Sequence, residues 1–370
     1  MFPTRSDQVR IFISAGEPSG DLHAARLMAE IRLRIPNVVF EGIGGPAMEL
    51  QGLHSLASLK DLAVSGFWEV AKRYGFFRAL LDRCADVIRR TRPSIFIPVD
   101  YPGFNMRLAD HARRADVPVA YYIAPQLWAW GRDRGRRLAE VVNRLLVVFP
   151  FEREFFAQFG IDTVHVGHPL LDDEAFCPPL SHDGSQLVVM PGSRRQELHR
   201  HLPLLADTVK RLRTLEPSLS VICPRPGFLP DEAYRLLADC DVKIVDDARQ
   251  AMRTSAAGLI KAGTSTLEAA LLGLPFSTFY RTSWLSYRMS KRLVQVDSVT
   301  MMNLLLNERI IHEYIQDDAT PERLAQEARR LLHDEERRAE LRAASDDVRE
   351  LLGGPGASAR AADIIADMVL

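Results

Sequence analysis

Cysteine is scarce in this sequence, and the few cysteines are not arranged for metal binding or for disulfide pairing. The 370 residues include four cysteines, with no C-x-x-C pair and no cluster of histidines near any of them. Structural zinc sites and disulfide frameworks both rely on closely spaced ligands or cysteine pairs. The sequence therefore argues against both classes, and we expect a protein of a reducing, cytoplasmic setting that holds no metal.

Long apolar runs and an excess of one charge sign are also missing. No run approaches the ~20 apolar residues of a membrane span, and the N-terminus enters a strand without the apolar core of a signal peptide. Basic and acidic residues nearly balance, at 47 and 48, for a net charge of −1. We expect neither a spanning segment nor a general attraction to nucleic acid, while contact with a membrane surface stays open.

What the sequence does contain is a regular alternation of apolar runs and helical patterns. Apolar runs at Val9–Ser14, Val38–Gly45, Pro93–Asp100 and Pro118–Ile123 each lead into a loop and, in most cases, an amphipathic stretch. Such alternation is typical of a parallel sheet with helices on both faces. The chain is longer than the ~250–300 residues at which single cores stop growing, so two domains are expected.

The same alternation restarts after a stretch rich in Pro, Asp and Gly at 172–185, which we interpret as the linker. We place the first domain at residues 1–170, completed by a C-terminal helix over 356–370, and the second at 171–355. Two Rossmann-like α/β domains with parallel sheets facing an interdomain cleft describe a GT-B-like architecture. A two-domain dehydrogenase is the alternative, but the nearest match to its G-x-G-x-x-G motif, at Gly42–Gly45, lacks the third glycine.

The stretch Gly258–Pro275 predicts a phosphate-binding turn. Gly263 lets the backbone turn sharply, the hydroxyl residue after it can cap a helix predicted over Leu267–Leu272, and the helix start can bind phosphate oxygens. Glu268 is placed to reach a ribose hydroxyl. An ordinary capped turn between strand and helix is the alternative. The residues of the predicted phosphate turn are Gly263, Thr264, Ser265 and Thr266.

A second turn of this kind, PGSR, contains Ser193 and Arg194. The guanidinium of Arg194 stands at the predicted start of a long helix, where charge and backbone N–H groups can act together on a diphosphate. The two turns together favour a nucleotide diphosphate leaving group held by donors, since no D-x-D pair for a metal lies in a suitable loop. Lys261 leaves two interpretations open, a pyridoxal Schiff base or a solvated or ion-paired lysine.

Asp100 is the candidate general base, because a carboxylate at the C-terminal end of a parallel strand can accept the proton of an acceptor hydroxyl. Glu17 and Ser19 follow another strand and are expected at the same edge. A helix cap is the alternative for Asp100 and for Ser19. His168 is either catalytic or a hinge or satisfied histidine. Asn303 either binds a sugar hydroxyl or turns a helix.

The stretch Leu62–Cys84 carries a wide apolar and aromatic stripe at helical spacing, flanked by Arg and Lys. It is compatible with an acyl-chain-binding or membrane-interfacial surface and equally with a core helix packed on a sheet. The residues proposed for the surface are Phe67, Trp68, Val70, Tyr74, Phe77 and Leu80.

Seven motifs in one order resemble a known family. They are AGEPSGD at 15–21, VDYPGFN at 99–105, APQLWAW at 124–130, GHPLLD at 167–172, PGSR at 191–194, GTSTLEA at 263–269 and NLL at 303–305. In this order and spacing they resemble the lipid-A-disaccharide synthases, a family of inverting GT-B glycosyltransferases. The resemblance extends from about Val9 to about Ile315.

The resemblance implies a reaction that needs no cofactor. UDP-2,3-diacylglucosamine donates its sugar to 2,3-diacylglucosamine 1-phosphate (lipid X), which gives the β-1,6-linked disaccharide and UDP. It also implies a base that deprotonates the acceptor 6-hydroxyl, at Asp100. The other implied roles are shaping of the acceptor or donor side by Glu17 and Ser19, diphosphate binding by Arg194 and Gly263–Thr266, ribose binding by Glu268, and a donor-side contact by Asn303.

The resemblance further implies a peripheral location at the cytoplasmic face of the inner membrane, which favours the surface interpretation of Leu62–Cys84. It suggests a homodimer formed through the region from Thr282 onward. Pro98, Gly103 and Lys261 depart from the family pattern, which leaves the loop geometry around the base and the phosphate affinity open. A sugar-nucleotide epimerase of the same fold and a non-catalytic nucleotide-binding module are the alternatives from other classes.

Overall fold

The computed structural model describes residues 8–62, 74–176, 185–227, 229–284, 287–288 and 295–370. The chain divides into two α/β units, each built around its own sheet. Met1–Asp172 and Leu352–Leu370 belong to the first unit, and Asp173–Leu351 forms the second. Every strand pair within the described residues is parallel, which confirms the predicted α/β class with two parallel sheets.

The first unit contains a seven-stranded sheet. Its strands are β1 (Arg10–Ala15), β2 (Val39–Ile43), β3 (Leu53–Ser55), β4 (Ile95–Val99), β5 (Ala120–Tyr122), β6 (Arg144–Val147) and β7 (Thr163–His165). The spatial order is β3-β2-β1-β4-β5-β6-β7, so the direction of winding reverses between β1 and β4. Ligands of open α/β sheets bind beyond the carboxyl ends of the strands at such a switch point.

Helices connect these strands. They are α1 (Pro18–Arg34), α2 (Pro46–Leu50), α3 (Leu59–Leu62), α4 (Tyr74–Thr91), α5 (Pro102–Arg114), α6 (Gly135–Val141) and α7 (Pro150–Ala157), with 3-10 turns at Arg132–Arg134 and Pro169–Asp172. Four of the seven helices have proline in their first turn, where its missing N–H costs no intrahelical bond. This explains why each begins so soon after a strand.

The helix α4 covers the C-terminal half of the proposed acyl or membrane surface. Tyr74 is 57% exposed, whereas Leu80 is 6% exposed and Phe77 packs partly buried against the core of the unit. Leu80 therefore belongs to the core and not to an exposed face, which corrects its predicted place. The other three residues proposed for this surface, Phe67, Trp68 and Val70, lie outside the described residues.

The second unit contains a six-stranded sheet. Its strands are β8 (Gln186–Met190), β9 (Ser220–Pro224), β10 (Lys243–Val245), β11 (Ala257–Lys261), β12 (Phe276–Tyr280) and β13 (Glu313–Ile315). Their order is β10-β9-β8-β11-β12-β13, so this sheet has its switch point between β8 and β11. The PGSR turn follows β8 and the GTST turn follows β11, which brings both turns to that switch point.

The helices of this unit include a long one after the PGSR turn. They are α8 (Arg195–Leu215), α9 (Arg235–Ala238), α10 (Ala248–Arg253), α11 (Thr264–Leu271), α12 (Met301–Leu306), α13 (Pro321–His333) and α14 (Glu335–Leu351), with 3-10 turns at Glu174–Phe176, Asp231–Tyr234 and Gln316–Asp318. Among the described residues, no helix is both long and apolar enough to cross a bilayer.

The last helix, α15 (Ala357–Val369), returns to the first unit. Its apolar side chains Ala361 and Ile365 share a buried cluster with Leu27 of α1 and with Ile13 and Ile97 of the first sheet. Burial of such side chains contributes roughly 1.5–3 kcal/mol for each large one. The packing of α15 against α1 therefore ties the C-terminus to the unit that contains the N-terminus.

Asp21 connects α1 to α2. Its buried carboxylate accepts hydrogen bonds from the N–H groups of Gly45 (2.8 Å), Ala47 (3.1 Å) and Met48 (3.1 Å) at the start of α2. These are N–H groups that a helix start leaves without an intrahelical partner. In the AGEPSGD motif, Asp21 therefore has a structural role, because it accepts the N–H groups at the start of the neighbouring helix α2.

Replacing this carboxylate should destabilise the first unit. We expect Asp21→Ala to lower the free energy of unfolding by about 2–3 kcal/mol, because it leaves buried N–H groups without an acceptor. Thermal or urea denaturation measures the change. Glu49→Ala, an exposed substitution on α2, serves as the control and should change stability by less than about 0.5 kcal/mol. Equal unfolding midpoints for Asp21→Ala and Glu49→Ala would contradict the structural role of the Asp21 carboxylate.

Candidate functional site

The first switch point brings the AGEPSGD and VDYPGFN motifs together. Ala15 at the end of β1 pairs with Val99 at the end of β4, so the residues that follow leave the sheet side by side. A Cβ on Gly16 would lie 2.3 Å from the ring of Tyr101, so only glycine fits under that ring. The two motifs therefore form one site at the edge of the sheet, with Glu17 and Asp100 in it.

Asp100 is held in a left-handed backbone conformation. Asp100 and Tyr101 have φ values of 46° and 51°, which cost non-glycine residues of order 1–3 kcal/mol and cluster at functional sites. Three hydrogen bonds offset this strain. The N–H of Asp100 donates to Tyr122 O (3.1 Å), and its own carbonyl accepts from Asn105 Nδ2 (2.7 Å) and from the Tyr121 hydroxyl (2.7 Å).

This geometry leaves the carboxylate of Asp100 free of a capping role. Tyr101, and not Asp100, is the N-cap residue of α5, and no side chain caps that helix. The helix-cap alternative for Asp100 is therefore not what the structure shows. Glu17 stands at the N-cap position of α1, again without a side-chain cap bond, and Ser19 is exposed in the first turn of that helix.

The surroundings of Asp100 favour its protonated form. Burial, and then the negative charge of Glu17, raise the pKa of Asp100 to about 6, against an opposing hydrogen bond from the Tyr101 N–H. A carboxyl whose pKa lies near neutrality can accept a proton and release it again at physiological pH. The position, the strain and the raised pKa together make Asp100 the strongest candidate for a base in the first unit.

Glu152 is a buried carboxyl near this site that sequence reasoning missed. It accepts hydrogen bonds from the Trp128 indole N–H (2.9 Å) and from the N–H groups of Val148 (3.2 Å) and Phe149 (3.1 Å). Burial raises the pKa of Glu152 to about 7, although these hydrogen bonds oppose the rise. Its sequence signal was a glutamate at the third position of a helix that starts with proline. Glu152 fixes Trp128 of the APQLWAW motif.

His168, in the same unit, is a hydrogen-bonded histidine with a neutral ring. Its Nδ1 accepts a hydrogen bond from the N–H of Leu170 (3.2 Å), and its ring packs at 5.4 Å from that of Phe149. Burial, with the nearby His23 and His165, lowers the pKa of His168 to about 3. A ring that stays uncharged in this way favours the structural interpretation over a catalytic one.

Two departures from the family pattern lie near Asp100. Pro98 occupies the middle strand β4 and offers no N–H, and beside it β4 and β5 pair at Val99 and Tyr122. Gly103 lies in the first turn of α5, and a Cβ there would meet no atom within 4 Å. Position 103 is therefore open to a Cβ, and Asp100 still directly follows β4.

The second switch point joins the PGSR and GTST turns through an ion pair. Met190 pairs with Ile260, so the two turns leave neighbouring strands. At the end of β11, Lys261 Nζ lies 3.0 Å from Glu197 Oε1, in the first turn of α8. The other oxygen of this carboxylate, Glu197 Oε2, accepts the Arg194 N–H at 3.3 Å. This ion-paired state of Lys261 is one of the two open interpretations, and it argues against a Schiff base.

The helix after the GTST turn begins earlier than predicted. Gly263, with φ +154°, is the N-cap of α11, so the helix starts at Thr264 and neither Thr264 nor Ser265 caps it. A helix start leaves its first N–H groups without acceptors inside the helix, although the Thr266 N–H donates here to Gly263 O at 3.0 Å. Thr266 closes the turn through its hydroxyl, which donates to Gly263 O at 2.7 Å. The result is a helix start suited to phosphate oxygens.

Arg194 is exposed at the N-cap position of α8, next to the exposed Ser193. The structure therefore places a guanidinium at one helix start and uncapped N–H groups at the neighbouring one. Both features attract anions, and their fields add because the helices begin at adjacent strands. This arrangement is suited to binding an anion.

Glu268 is more constrained than expected. Its carboxylate lies 3.6 Å from Arg249 Nε, and Arg249 also contacts Asp173 at 2.7 Å. Burial raises the pKa of Glu268, and Arg249 opposes the rise. Glu268 lies in the second turn of α11, one turn later than predicted, because the helix starts at Thr264. A ribose hydroxyl bound by Glu268 would share the carboxylate of Glu268 with Arg249.

Asn303 uses both ends of its amide inside the fold. Its Nδ2 donates to Ile311 O (2.9 Å) and Glu313 Oε1 (3.1 Å), and its Oδ1 accepts the Ile311 N–H (2.7 Å). Glu313 also accepts hydrogen bonds from the N–H groups of Val299 and Thr300. Asn303 therefore shapes this loop through both ends of its amide, and its donor-side contact stays a prediction.

No group of three His, Cys, Asp or Glu side chains within the described ranges converges as a metal site would. The anion-binding features at the second switch point consist of a guanidinium and backbone N–H groups. The proton-accepting feature at the first is a carboxyl. Each unit by itself therefore contributes one feature suited to transfer chemistry, a carboxyl that can accept a proton in the first unit and a helix start that can bind an anion in the second.

A sequence profile of the family described as Lipid-A-disaccharide synthetase matches residues 11–367. The chain belongs to the lipid-A-disaccharide synthase family. It is 38% identical over 379 residues to the synthase of Geobacter sulfurreducens, with 99% of each chain covered. It is 37% identical over 377 residues to that of Anaeromyxobacter dehalogenans, with 98% of this chain and 97% of the relative covered.

Solved structures share the fold at low sequence identity. The calicheamicin glycosyltransferase CalG4 superposes with a TM-score of 0.62 at 15% identity, covering 99% of this chain and 98% of that one. A UDP-GlcNAc 2-epimerase from Neisseria meningitidis bound to UDP-GlcNAc gives 0.61 at 12% identity, covering 97% and 98%. The fold is therefore GT-B, and the family makes the chain a glycosyltransferase of lipid A biosynthesis.

Proposed function

We propose that the chain transfers the sugar of UDP-2,3-diacylglucosamine to the 6-hydroxyl of 2,3-diacylglucosamine 1-phosphate. The products are the β-1,6-linked disaccharide 1-phosphate and UDP. Family membership supports the reaction class. The observation that carries the proposal is Asp100, a carboxyl held in a left-handed turn at the first switch point and surrounded by groups that raise its pKa to about 6.

Asp100 acts as the general base in this proposal. Its carboxylate accepts the proton of the acceptor 6-hydroxyl while that oxygen attacks the anomeric carbon of the donor. The bond from the anomeric carbon to the diphosphate oxygen breaks, and its electron pair leaves with UDP. Attack from the face opposite to the leaving group inverts the configuration, so an α-linked donor gives a β-linked product.

The second unit stabilises the departing diphosphate. Arg194, Ser193 and the turn Gly263–Thr266 supply a guanidinium, hydroxyls and backbone N–H groups for its oxygens, and they are aimed where negative charge increases during bond breaking. We assign Glu268 to the ribose. Because these donors neutralise the charge that a metal ion would otherwise balance, the proposed reaction is metal-independent.

The diacyl substrates also suggest where the enzyme works. We infer a peripheral location at the cytoplasmic face of the inner membrane, with the exposed Tyr74 and the neighbouring Phe76 of α4 close to the acyl chains. A homodimer formed through the region from Thr282 onward is part of the same proposal. Co-sedimentation with vesicles and light scattering test these two inferences separately.

Incubation with both lipid substrates tests the reaction. We expect UDP and a disaccharide phosphate to form together, in equal amounts, only when donor and acceptor are both present. UDP-GlcNAc without an acceptor is the control, since a sugar-nucleotide epimerase would convert it to its 2-epimer. Epimer formation, or the absence of any turnover with both lipids, would overturn the proposal.

Activity should depend on pH through Asp100. A general base acts in its deprotonated form, so kcat/KM should fall roughly tenfold per pH unit below about pH 6, the pKa of Asp100. Glu17→Gln removes the neighbouring negative charge that contributes to this raised pKa, so the acid limb should move to lower pH. An acid limb that stays in place in Glu17→Gln would contradict the coupling of the two carboxylates.

A further inference from the structure

The second unit contains a cavity that the roles assigned to Asp100 and to the two phosphate turns do not use. It has a volume of roughly 890 Å³, within the range of small-molecule sites. Its walls come from the first turns of α8, at His199 and Arg200, and from the segment after β12, at Arg281, Trp284 and Arg288. It does not include Arg194 or the GTST turn.

A buried histidine fixes this cavity relative to the PGSR turn. His201, fully buried, contacts Pro191 O through Nδ1 at 2.7 Å, and its Nε2 accepts the Arg281 N–H at 3.0 Å. Nδ1 therefore carries the proton in this arrangement and donates it to Pro191 O. Because one imidazole bridges the PGSR turn to the cavity wall, the cavity lies beside the proposed diphosphate site.

Three guanidinium groups line the cavity, and none of them forms an ion pair with a described residue. Arg281 is held by a hydrogen bond from Nη2 to Ala319 O (2.7 Å), and Arg200 donates to Gln196 O (3.2 Å). Asp317 is the one carboxylate among the lining residues described. Guanidinium groups that line one cavity with so little compensating charge attract an anion, and their planar donors match phosphate oxygens.

Aromatic surface lies beside these charges. Trp284 is 66% exposed, and the guanidinium of Arg288 lies 4.7 Å from the centroid of its ring. An exposed indole can pack against the C–H face of a sugar while its neighbouring arginines contact a phosphate. A cavity with this combination fits a phosphorylated sugar better than a free inorganic anion.

We propose that this cavity binds the phosphate monoester of a sugar 1-phosphate. Arg200, Arg281 and Arg288 contact the phosphate, and Trp284 packs on the sugar. The inference rests on the proposed function in one respect. It identifies the bound group as the 1-phosphate of the acceptor in the proposed reaction. The cavity then selects phosphorylated acceptors, a specificity that neither the diphosphate turns nor Asp100 supplies.

Direct binding tests the site without turnover. Glucosamine 1-phosphate, titrated by calorimetry or by ³¹P NMR, should bind the wild-type protein, and R200Q/R288Q should weaken its Kd roughly 10- to 100-fold because charge-assisted hydrogen bonds are lost. Arg235→Gln, an exposed substitution in the same unit, is the matched control and should bind as wild type. Unchanged UDP binding in the double variant shows that the unit is folded. Equal Kd values for glucosamine 1-phosphate in wild type and R200Q/R288Q would overturn the proposal.

Kinetics with two acceptors connect the cavity to the reaction. R200Q/R288Q should lower kcat/KM at least roughly tenfold for the phosphorylated acceptor and leave an acceptor analogue without the phosphate unaffected. Equal losses of kcat/KM for both acceptors would overturn the assignment of the acceptor phosphate to this cavity. If wild type formed no disaccharide at all, the proposed function would fail. The glucosamine 1-phosphate titration would still show whether the cavity binds a sugar phosphate.

A membrane phosphate is the competing occupant. Vesicles of phosphatidylglycerol, sedimented with wild type and R200Q/R288Q, distinguish it from the sugar phosphate. If the double variant lost vesicle binding but kept the affinity for glucosamine 1-phosphate, the cavity would be a phospholipid contact and the proposal would be wrong. Unchanged vesicle binding together with weaker sugar phosphate binding is the expected result.

Discussion

Asp100→Asn should lower kcat by about 10²–10⁴-fold, the usual contribution of a positioned general base. The amide keeps the shape of the side chain but cannot accept the proton of the acceptor hydroxyl. The main-chain bonds to Tyr122, Asn105 and Tyr121 do not involve the carboxylate, so the left-handed turn should persist. Steady-state kinetics with both lipid substrates measure the loss.

Stability and donor binding separate a lost base from a lost fold. Burial disfavours the charged form of Asp100, so a neutral amide should not destabilise the first unit, and UDP should bind as in wild type. Asp86→Asn replaces an exposed carboxylate on α4, paired with Arg89, and should leave kcat unchanged. Near-wild-type kcat in Asp100→Asn would remove Asp100 from the mechanism.

Arg194→Ala should raise the Kd of UDP and the KM of the UDP-linked donor roughly 10- to 100-fold. A charge-assisted hydrogen bond contributes about 1.5–3 kcal/mol, which corresponds to this range. The bond between Arg194 and Glu197 involves the main-chain N–H of Arg194, so the helix start should stay in place. Isothermal titration with UDP at fixed ionic strength measures the effect.

The neighbouring residue supplies a matched control for this prediction. Arg195 is also exposed and has the same charge, but it is the first helical residue of α8 and not its N-cap. Arg195→Ala should therefore change the Kd of UDP only slightly, through the general field. If both substitutions weakened UDP binding equally, the net charge of the region and not the N-cap position of Arg194 would explain the binding.

Much of the candidate site could be predicted because its signals are local. A glycine after a strand, a proline at the first helical position and an arginine before a helix are visible in a few neighbouring residues. The strands before Glu17 and Asp100 were predicted from their apolar runs, and the structure has both of them. The boundary errors were small, such as the start of α11 at Thr264.

The parts that sequence reasoning missed depend on contacts between distant residues. Leu80 was proposed for a surface because its helical stripe is apolar, yet burial against the core decides its environment. The hydrogen bonds that join the amide of Asn303 to Ile311 and Glu313 were likewise not predictable from its immediate sequence. Glu152 carried only the signal of an ordinary helix start, although its carboxyl holds Trp128.

The sequence by itself determined the alternation of strands and helices, the parallel sheets and the polar turns at the strand ends, because periodicity, glycine and proline act over short range. The tertiary structure decided which strand ends are neighbours. Strand order places the turn after β1 beside Asp100 and the PGSR turn beside the GTST turn. It also sets the burial that raises the pKa of Asp100, because burial is a sum over residues far apart in the chain.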